Sequence, residues 1–462
     1  MMRWLALVVM AGCTFSVPRK PDVLLVVLEG VRADRLAVHG ADRATSNQLK
    51  AMADAGVAFH DATSSAAWSW PGHAALFTGE PPWVHGAHWG DSTAAARPDE
   101  TLSVTAMRPE LPTLAERFRE AGYRTVVLGS NPMLATEYGL TRGFAQVESA
   151  DRDDGVVAAA EVLLGEPDPR PLLMVVTLSA AQGPLQLTPS APWSNKHRRM
   201  LHRTHAPDWV KRHRVDAIPP ALDLVTRTAP GRRTGEESFA RGTLKLSEFD
   251  LEFIRDLYDG ELVNLDRSLG ELVAAWNRSE RGSGILAVTS TSGTMLGEDG
   301  VLGDGVRLTA TSNRVPLVIA APGRLDAGVD VYTPVQMREL HPTLLDLAGV
   351  VENPSGSLVP VVGGQARTEA IQAAVWPNPA FAQRVGGRFA AGQRLHREGA
   401  SVVTMEGDSA PLARTMDGAA LPPAEGMVKR ANTGFSGASP GPVVIVPNSH
   451  SALRSTMESS VD

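Results

Sequence analysis

Cysteine, surplus positive charge and long apolar runs are scarce in this chain, and each scarcity excludes a class of protein. Cys13 is the only cysteine among 462 residues, so no disulfide can form within one chain. The 44 Lys and Arg are outnumbered by 51 Asp and Glu, and the net charge of −7 argues against a general nucleic-acid binder. Hydrophobic residues still make up 43 %, which is enough for a sizeable core and excludes wholesale disorder.

The N-terminus has the pattern of a processing signal. Arg3 precedes an apolar run at residues 4–11, which is too short to span a bilayer. Small residues then lead to Cys13, and this Met-Ala-Gly-Cys segment resembles a bacterial lipobox. The resemblance implies that Cys13 becomes the lipidated first residue of the mature protein, with an ordinary signal peptide as the alternative. Thr14 is not the Asp that signals inner-membrane retention, so we expect a lipid anchor in the outer membrane of a bacterial envelope.

Short apolar runs alternate with segments of helical spacing. A run that is β-branched and aliphatic throughout is typical of a strand buried on both faces of a parallel sheet. Such runs occur at residues 21–28, 125–128, 172–178, 285–289 and 315–320. Helical spacing occurs at residues 46–55, 111–120 and 251–276. The alternation predicts an α/β fold with a doubly wound, mainly parallel sheet.

Shifts in composition divide the chain. Residues 1–20 are the predicted signal peptide and linker, and residues 21–355 are the predicted α/β domain. A polar, Pro-rich and basic insertion interrupts that domain at about residues 185–247. Residues 356–430 change to short, Gly-punctuated segments, which suit an antiparallel sheet in a small C-terminal subdomain. The tail at residues 431–462 is rich in Gly, Pro and Ser and is predicted to be mostly disordered, with room for one last strand.

A hydroxyl, a proline and a histidine stand close together in residues 69–79, which read Ser-Trp-Pro-Gly-His-Ala-Ala-Leu-Phe-Thr-Gly. Pro71 and Gly72 predict a turn, and a helix is expected to open at His73. A hydroxyl held at a helix N-terminus lies in positive potential, which suits attack on an anionic ester. Taken alone, a Ser-x-Pro turn is more often structural than chemical.

This block resembles the nucleophile motif of the sulfatase family, within the alkaline phosphatase superfamily. Five other segments resemble the family in the same order, and together they cover about residues 21–350. They are residues 23–36, 138–144, 258–270, 314–323 and 341–349. The resemblance implies an alkaline-phosphatase-like three-layer α/β/α sandwich with a mainly parallel central sheet, followed by a small C-terminal antiparallel β subdomain.

The resemblance also implies a site. Members of this family hold a divalent metal, calcium in sulfatases, at the carboxyl ends of the parallel strands. By position, Glu29 corresponds to a metal ligand, Ser69 to the nucleophile, and Arg32 and His73 to further catalytic residues. The metal neutralises the ester and lowers the pKa of the nucleophile. His73 stands where members that carry formylglycine have arginine, which argues against conversion of Ser69 to formylglycine.

The later metal segment departs from the family pattern. Thr291 and Ser292 replace the expected Asp and His, and Asp299 and Asp304 occupy the positions of two further histidines. Because Ca²⁺ takes roughly six to eight oxygen ligands with several carboxylates, Glu29 and two hydroxyls fall short. Asp299 or Asp304, with Asp304 as the first candidate, could complete the ligand set, and the alternative is that both are solvated loop acids. We therefore expect a degenerate metal site.

A basic segment and two hypotheses about function complete the sequence-based expectations. Residues 196–214 contain seven Lys or Arg, four His and Asp208 as the only acid. This charge suits an anionic ligand, a sulfated or phosphorylated glycan or lipid, and a solvated loop is the alternative. One hypothesis is therefore a sulfatase-like envelope lipoprotein that is catalytically impaired and binds an anionic ligand or a partner. The other is an active sulfuric or phosphoric ester hydrolase that uses Ser69 with an atypical divalent metal.

Overall fold

The computed structural model describes most of the chain from residue 19 onward. The long described stretches are residues 19–89, 101–131, 139–182, 245–367, 369–376 and 379–398. Shorter pieces are residues 134, 185, 188, 191–193, 239–242, 401–406, 412–415, 420–421 and 443–447. Cys13, the basic segment at residues 196–214 and most of the predicted disordered tail lie outside the described residues.

Ten α-helices occur in the described residues. They are α1 (Asn47–Asp54), α2 (Ser69–Thr78), α3 (Pro82–His85), α4 (Leu114–Glu120), α5 (Asp153–Gly165), α6 (Glu248–Arg278), α7 (Ala310–Asn313), α8 (Leu340–Leu347), α9 (Val359–Val362) and α10 (Pro379–Arg384). Helix α6 begins at a capping box, in which the Ser247 hydroxyl accepts from the Asp250 amide and the Asp250 side chain accepts from the Ser247 amide. Such reciprocal bonds satisfy backbone donors that a helix start otherwise leaves unpaired.

Twenty strands are described. The first ten are β1 (Val23–Leu28), β2 (Val57–Phe59), β3 (Ala62–Thr63), β4 (Thr101–Thr105), β5 (Arg124–Gly129), β6 (Gln146–Ser149), β7 (Leu172–Leu178), β8 (Ile285–Thr289), β9 (Met295–Leu296) and β10 (Leu302–Gly303). The others are β11 (Arg314–Val315), β12 (Leu317–Ala320), β13 (Val329–Val331), β14 (Val335–Gln336), β15 (Ile371–Val375), β16 (Gln393–Glu398), β17 (Ser401–Glu406), β18 (Leu412–Thr415), β19 (Ala420–Leu421) and β20 (Val443–Pro447).

The central sheet is mainly parallel, as predicted. Eight of the described strands form it, in the order β13-β2-β12-β8-β1-β7-β5-β6. The five strands from β8 to β6 all run parallel to one another, while β12 runs antiparallel to both of its neighbours. Because parallel strands end at the same edge of a sheet, the residues that follow β1, β5, β7 and β8 are brought together.

Helices cover both faces of this sheet, which gives the three-layer α/β/α sandwich. All six residues of β1 are buried, and its side chains alternate between two cores. One core lies between the sheet and helices α2, α4 and α8. The other lies between the sheet and helices α1, α5 and α6. The continuous apolar runs found in the sequence are therefore strands buried on both faces.

A separate antiparallel sheet lies near the C-terminus, in the order β15-β16-β17-β18-β19. Strand β20, within the tail, pairs antiparallel with β4. No helix within the described residues is both long enough and apolar enough to cross a membrane.

Two local predictions were wrong. Pro71 and Gly72 do not form a turn before a helix, because α2 already begins at Ser69 and includes both residues. Proline is tolerated in the first helical turn, where a backbone N–H has no partner within the helix. The strand predicted at residues 315–320 is broken at Pro316, with β11 paired to β3 and β12 paired to β8. Proline has no N–H to donate to a sheet ladder.

Candidate functional site

Four strand ends place polar side chains at one edge of the central sheet. Glu29 follows β1, Asn131 lies two residues beyond β5, Gln182 lies in the turn after β7, and Thr291 follows β8. The backbone N–H of Glu29 still donates to the carbonyl of Leu178 at 2.8 Å, so the residue continues the ladder between β1 and β7. This fixed backbone aims the Glu29 carboxylate at the centre of the edge.

Helix α2 brings Ser69 and His73 to the same place. Ser69 is its first residue, and every residue of the helix is buried. Helix and sheet approach so closely that a Cβ added at Gly72 would lie 2.6 Å from the Cβ of Thr291. The indole of Trp70 donates to the carbonyl of Thr105 at 2.9 Å and anchors the first turn from the other side. Trp70, the residue that follows Ser69, therefore packs in the core.

The Glu29 carboxylate is the centre of a hydrogen-bond network. The Ser69 hydroxyl donates to its Oε2 at 2.5 Å, and the Thr291 hydroxyl donates to the same oxygen at 3.3 Å. The amide of Asn131 donates to Oε1 at 3.1 Å. The amide of Gln182 in turn donates to the Ser69 hydroxyl at 2.7 Å. Glu29 is 0 % exposed and Ser69 is 1 % exposed, whereas Gln182 is partly exposed, so the centre of the network is buried.

His73 supplies the imidazole of the site. Its Nδ1 lies 3.0 Å from the backbone carbonyl of Ser69, one helical turn earlier. Its Nε2 lies 3.1 Å from Oε1 of Glu29, although the angle does not make a hydrogen bond. Both side chains are fully buried. Protonation of the ring at Nδ1 fits the contact with the Ser69 carbonyl, and a second proton at Nε2 would face Glu29.

Asp304 completes the group from the loop that follows β10. The loop is held in place at Gly305, whose carbonyl accepts from the indole of Trp89 at 3.0 Å. Trp89 stacks on Trp68, with ring centroids 3.8 Å apart. Asp304 as a whole residue is partly exposed, but its carboxyl group is buried. That desolvation and the charge of Glu29 raise the pKa of Asp304 to about 7. A hydrogen bond from Gln182 acts in the opposite direction and lowers the pKa.

Arg32, expected among the catalytic residues, is engaged elsewhere. Its guanidinium donates to both carboxylate oxygens of Asp34, at 2.9 and 2.8 Å, and to Glu298 at 2.7 Å. It also donates to the carbonyl of Thr294 at 3.3 Å. These bonds tie the loop after β1 to the loop after β8. The structure therefore brings together Glu29, Ser69, His73 and Asp304, and it uses Arg32 to brace the backbone around them.

The donor set at this edge does not fit the calcium site that the family resemblance implies. Both oxygens of Glu29 already accept from protein donors, and in the described part of the chain Asp304 is the one further carboxylate near it. The hydroxyl of Ser292 is buried without a hydrogen-bond partner, and Asp299 pairs with Arg307 at 3.2 Å in an exposed loop. Within the described residues, no group of three or more His, Cys, Asp or Glu is placed to hold a metal ion. Calcium takes roughly six to eight oxygens and several carboxylates.

A cavity of about 480 Å³ lies far from these residues in the fold. It is lined by the ends of α5 and α6 and by Arg19, Asp168 and Arg281, which precede the strands. The cavity therefore opens at the opposite edge of the sheet and takes no part in the chemistry of Ser69.

Comparison with known proteins identifies the family. A family model described as Sulfatase matches residues 21–350, and the chain belongs to the sulfatase family. The choline-sulfatase of Rhizobium meliloti (strain 1021) is 34 % identical over 133 residues, 27 % of this chain and 25 % of the relative. Arylsulfatase K of Danio rerio is 29 % identical over 177 residues, 37 % of this chain and 30 % of the relative. The matches thus span less than a third of either relative.

Solved structures share the fold over nearly the whole chain. The phosphonate monoester hydrolase of Agrobacterium radiobacter superposes with a TM-score of 0.63 at 19 % identity, covering 86 % of this chain and 90 % of that one. The phosphonate monoester hydrolase of Silicibacter pomeroyi superposes with a TM-score of 0.61 at 19 % identity, covering 90 % of this chain and 93 % of that one. At this identity the likeness shows the alkaline-phosphatase-like fold alone.

Proposed function

We propose that this chain is a sulfatase-family protein that has lost ester hydrolysis and serves the bacterial envelope as a lipid-anchored binding protein. The observation that carries the proposal is the bond between Ser69 and Glu29. The nucleophile position and the metal-ligand position of the family satisfy each other here, at 2.5 Å, in a network with almost no exposure to water. A serine hydroxyl that is buried and bonded to a carboxylate in this way is poorly placed to attack an ester.

The charge around Ser69 also disfavours an anionic ester. The Ser69 hydroxyl bonds to the carboxylate of Glu29, and the Gln182 amide that binds Ser69 also bonds to the carboxylate of Asp304. Among the described residues, no Lys or Arg side chain bonds to Ser69 or Glu29, and His73 is the one basic group beside them. Sulfate and phosphate esters carry negative charge that a hydrolase must neutralise. Catalytic groups of such a site act as a unit, so a serine without its partners retains little activity.

The binding role rests on sequence features outside the described residues. The predicted lipid at Cys13 would place the protein at the envelope, in the outer membrane. The seven Lys or Arg in residues 196–214 supply the positive charge for a sulfated or phosphorylated glycan or lipid. Replacing these seven residues by Gln should abolish retention on a sulfated polysaccharide resin. Undiminished retention would contradict the role of this segment.

A second candidate is an active ester hydrolase that uses Ser69. The same geometry favours it in one respect, since a hydroxyl at the start of a helix that donates to a carboxylate resembles a nucleophile with its base. By name, the matched relatives act on choline sulfate, aryl sulfates and phosphonate monoesters. An atypical divalent metal would then be held by Glu29 and Asp304.

Hydrolysis assays separate the two candidates. The purified chain is incubated with para-nitrophenyl sulfate, para-nitrophenyl phosphate and a phosphonate monoester, with and without added Ca²⁺, Mg²⁺ or Mn²⁺. Ser69→Ala is the test variant. Ser65→Ala is the matched control, because that hydroxyl is equally buried and has no hydrogen-bond partner. We expect no turnover above that of Ser69→Ala with any ester. Turnover that Ser69→Ala abolishes and Ser65→Ala retains would overturn the proposal in favour of the hydrolase.

A further inference from the structure

The start of the described chain is fixed to one edge of the central sheet, here called the basal edge and defined by Arg19, Lys20, Arg170 and Arg278. Arg19 donates to the carboxylate of Asp22 at 3.3 Å and to the carbonyl of Arg170 at 3.2 Å. Lys20 donates to the carbonyl of Ala121 at 3.5 Å. The chain therefore enters the domain where β1, β5, β7 and β8 begin, opposite the edge that carries Ser69.

A buried ion pair makes this entry point rigid. Arg281 and Asp22 are almost fully buried and lie 2.5 Å apart, and Asp22 also accepts from the backbone of Leu172 at 2.7 Å. Arg281 further donates to the carbonyl of Asp168 at 3.3 Å. Asp22 thus joins the starts of β1 and β7 to the turn before β8. The start of β1 is therefore bonded to the neighbouring parts of the basal edge.

The tether from Cys13 to this edge is short. Five residues separate Cys13 from Arg19. Even when extended, that stretch reaches about 20 Å, at roughly 3.5 Å per residue. The six residues of β1 then rise for about 20 Å more before Glu29, at roughly 3.3 Å per residue. A lipid on Cys13 consequently holds the basal edge within reach of the bilayer and the Ser69 edge on the far side.

The surface of the basal edge suits contact with phospholipid headgroups. The side chains of Arg19, Arg170 and Arg278 are 45 %, 57 % and 64 % exposed. Glu161 and Glu166 lie on the same surface, 58 % and 47 % exposed, so its charge is mixed. The arginine side chains can bind phosphate oxygens of the headgroups. The two glutamates reduce the net positive charge and so weaken the electrostatic attraction to anionic lipids. The tether, rather than charge, therefore supplies most of the attachment.

We infer that the basal edge faces the bilayer and that the Ser69 edge faces the aqueous space. The inference rests on the proposed anchor at Cys13. It identifies the interaction surface as the basal edge, where the strands begin near Arg170. The partner is a phospholipid headgroup layer.

The test uses a chain in which six histidines replace residues 1–13 and bind vesicles that contain a nickel-chelating lipid. This chain has no native cysteine, so a single introduced cysteine can carry a fluorescent label. Arg170→Cys and Glu280→Cys report on the basal edge. Arg388→Cys reports on the opposite edge, because its native side chain donates to the carbonyl of Asp299 in the loop that follows β9. The vesicles also carry a nitroxide lipid, which quenches a label that lies near the headgroups.

We expect the labels at positions 170 and 280 to lose fluorescence on vesicle binding and to regain it when imidazole releases the protein. The label at position 388 should show no loss. Equal quenching at the two edges, or stronger quenching at position 388, would overturn the inference. Acylation of Cys13 is measured separately, by mass spectrometry of the N-terminal peptide from membrane-extracted protein. Because the tag replaces the lipid, absence of acylation would refute the proposed anchor without altering the fluorescence result.

Discussion

The hydroxyl of Ser69 donates to the carboxylate of Glu29 over 2.5 Å, and neither side chain is more than 1 % exposed. The family resemblance assigns one of these residues to nucleophilic attack and the other to the metal. In this chain they are each other's partner. Asn131, Gln182 and Thr291 donate three further hydrogen bonds to the pair. The edge of the sheet where the family resemblance places the chemistry holds a buried polar network in this structure.

Removal of the Glu29 carboxylate should destabilise the fold. In Glu29→Ala, the donors on Ser69, Asn131 and Thr291 lose this buried acceptor. Each buried donor left unpaired costs about 1–3 kcal/mol, so we expect the free energy of unfolding to fall by about 3 kcal/mol or more, measured by urea denaturation. Asp54→Ala is the control, because that carboxylate is 65 % exposed and pairs with Lys50 in the same helix. Its effect should stay within about 0.5 kcal/mol. A Glu29→Ala chain as stable as the parent would contradict the network.

The close approach of α2 to the end of β8 should make Gly72 intolerant of a side chain. A Cβ at this position meets the Thr291 Cβ at 2.6 Å and the Thr291 carbonyl oxygen at 2.7 Å. Overpacking of this kind costs about 1–3 kcal/mol, so Gly72→Ala should lower the midpoint of urea unfolding. Gly165→Ala is the matched control, because nothing lies within 4 Å of the added Cβ. If both variants unfold at the parent midpoint, the packing of Ser69 against the sheet is looser than described.

Asp304 should give the chain a stability that declines as pH rises towards neutrality. Its pKa is raised to about 7 by desolvation and by the charge of Glu29. Between about pH 4 and pH 7 the folded carboxyl therefore keeps a proton that the unfolded chain has released. The stabilisation is complete below the unfolded pKa and is lost as pH rises through the folded pKa, on the order of 1 kcal/mol per pH unit.

Asp304→Asn removes this dependence. Relative to the parent chain, the variant should gain stability as pH increases from about 4 to 7, which urea unfolding at a series of pH values measures. Asp299→Asn serves as the control, since that carboxylate is 54 % exposed and pairs with Arg307. Its stability should follow the parent at every pH. Parallel curves for the parent and Asp304→Asn would show that the Asp304 carboxyl is solvated.

Arg32 should act through structure and not through chemistry. In Arg32→Met, Asp34 and Glu298 lose the guanidinium that joins them, and unfolding should require less urea by about 1–3 kcal/mol in free energy. Adding Glu298→Gln to that variant should recover part of the loss, because an unpaired carboxylate disappears. The double-mutant cycle isolates this coupling. Strictly additive effects would show that the Arg32–Glu298 contact, at 2.7 Å, contributes nothing.

The central sheet was largely predictable because a strand buried on both faces is a continuous apolar run in the sequence. Strands β1, β5, β7 and β8 begin and end within two residues of the apolar runs. Helix α5 was not predicted, although it fills one face of the sheet. The start of α2 was misplaced because Pro71 and Gly72 look like a turn until the contact with Thr291 explains the glycine.

The site was predictable only in part. Glu29, Ser69, His73 and Asp304 were found by their places in family motifs, and they do lie together. Asn131 was not found, since it belongs to no motif and reaches Glu29 only because β5 ends two strands away from β1. Gln182 was not predicted either, although it bonds Ser69 directly. The bonds of Arg32 to Asp34 and Glu298 were not predicted, because the spacing of these residues along the sequence does not reveal them.

Metal content tests the central claim most directly. The mature chain is purified without a tag, incubated with excess Ca²⁺, Mg²⁺ or Zn²⁺, freed of unbound ions and measured by elemental mass spectrometry beside Glu29→Ala. Our account predicts far less than one ion per chain in both proteins, because Glu29 is occupied by Ser69, Asn131 and Thr291. One divalent ion per chain in the parent, lost in Glu29→Ala, would contradict it and would favour the hydrolase that uses Ser69.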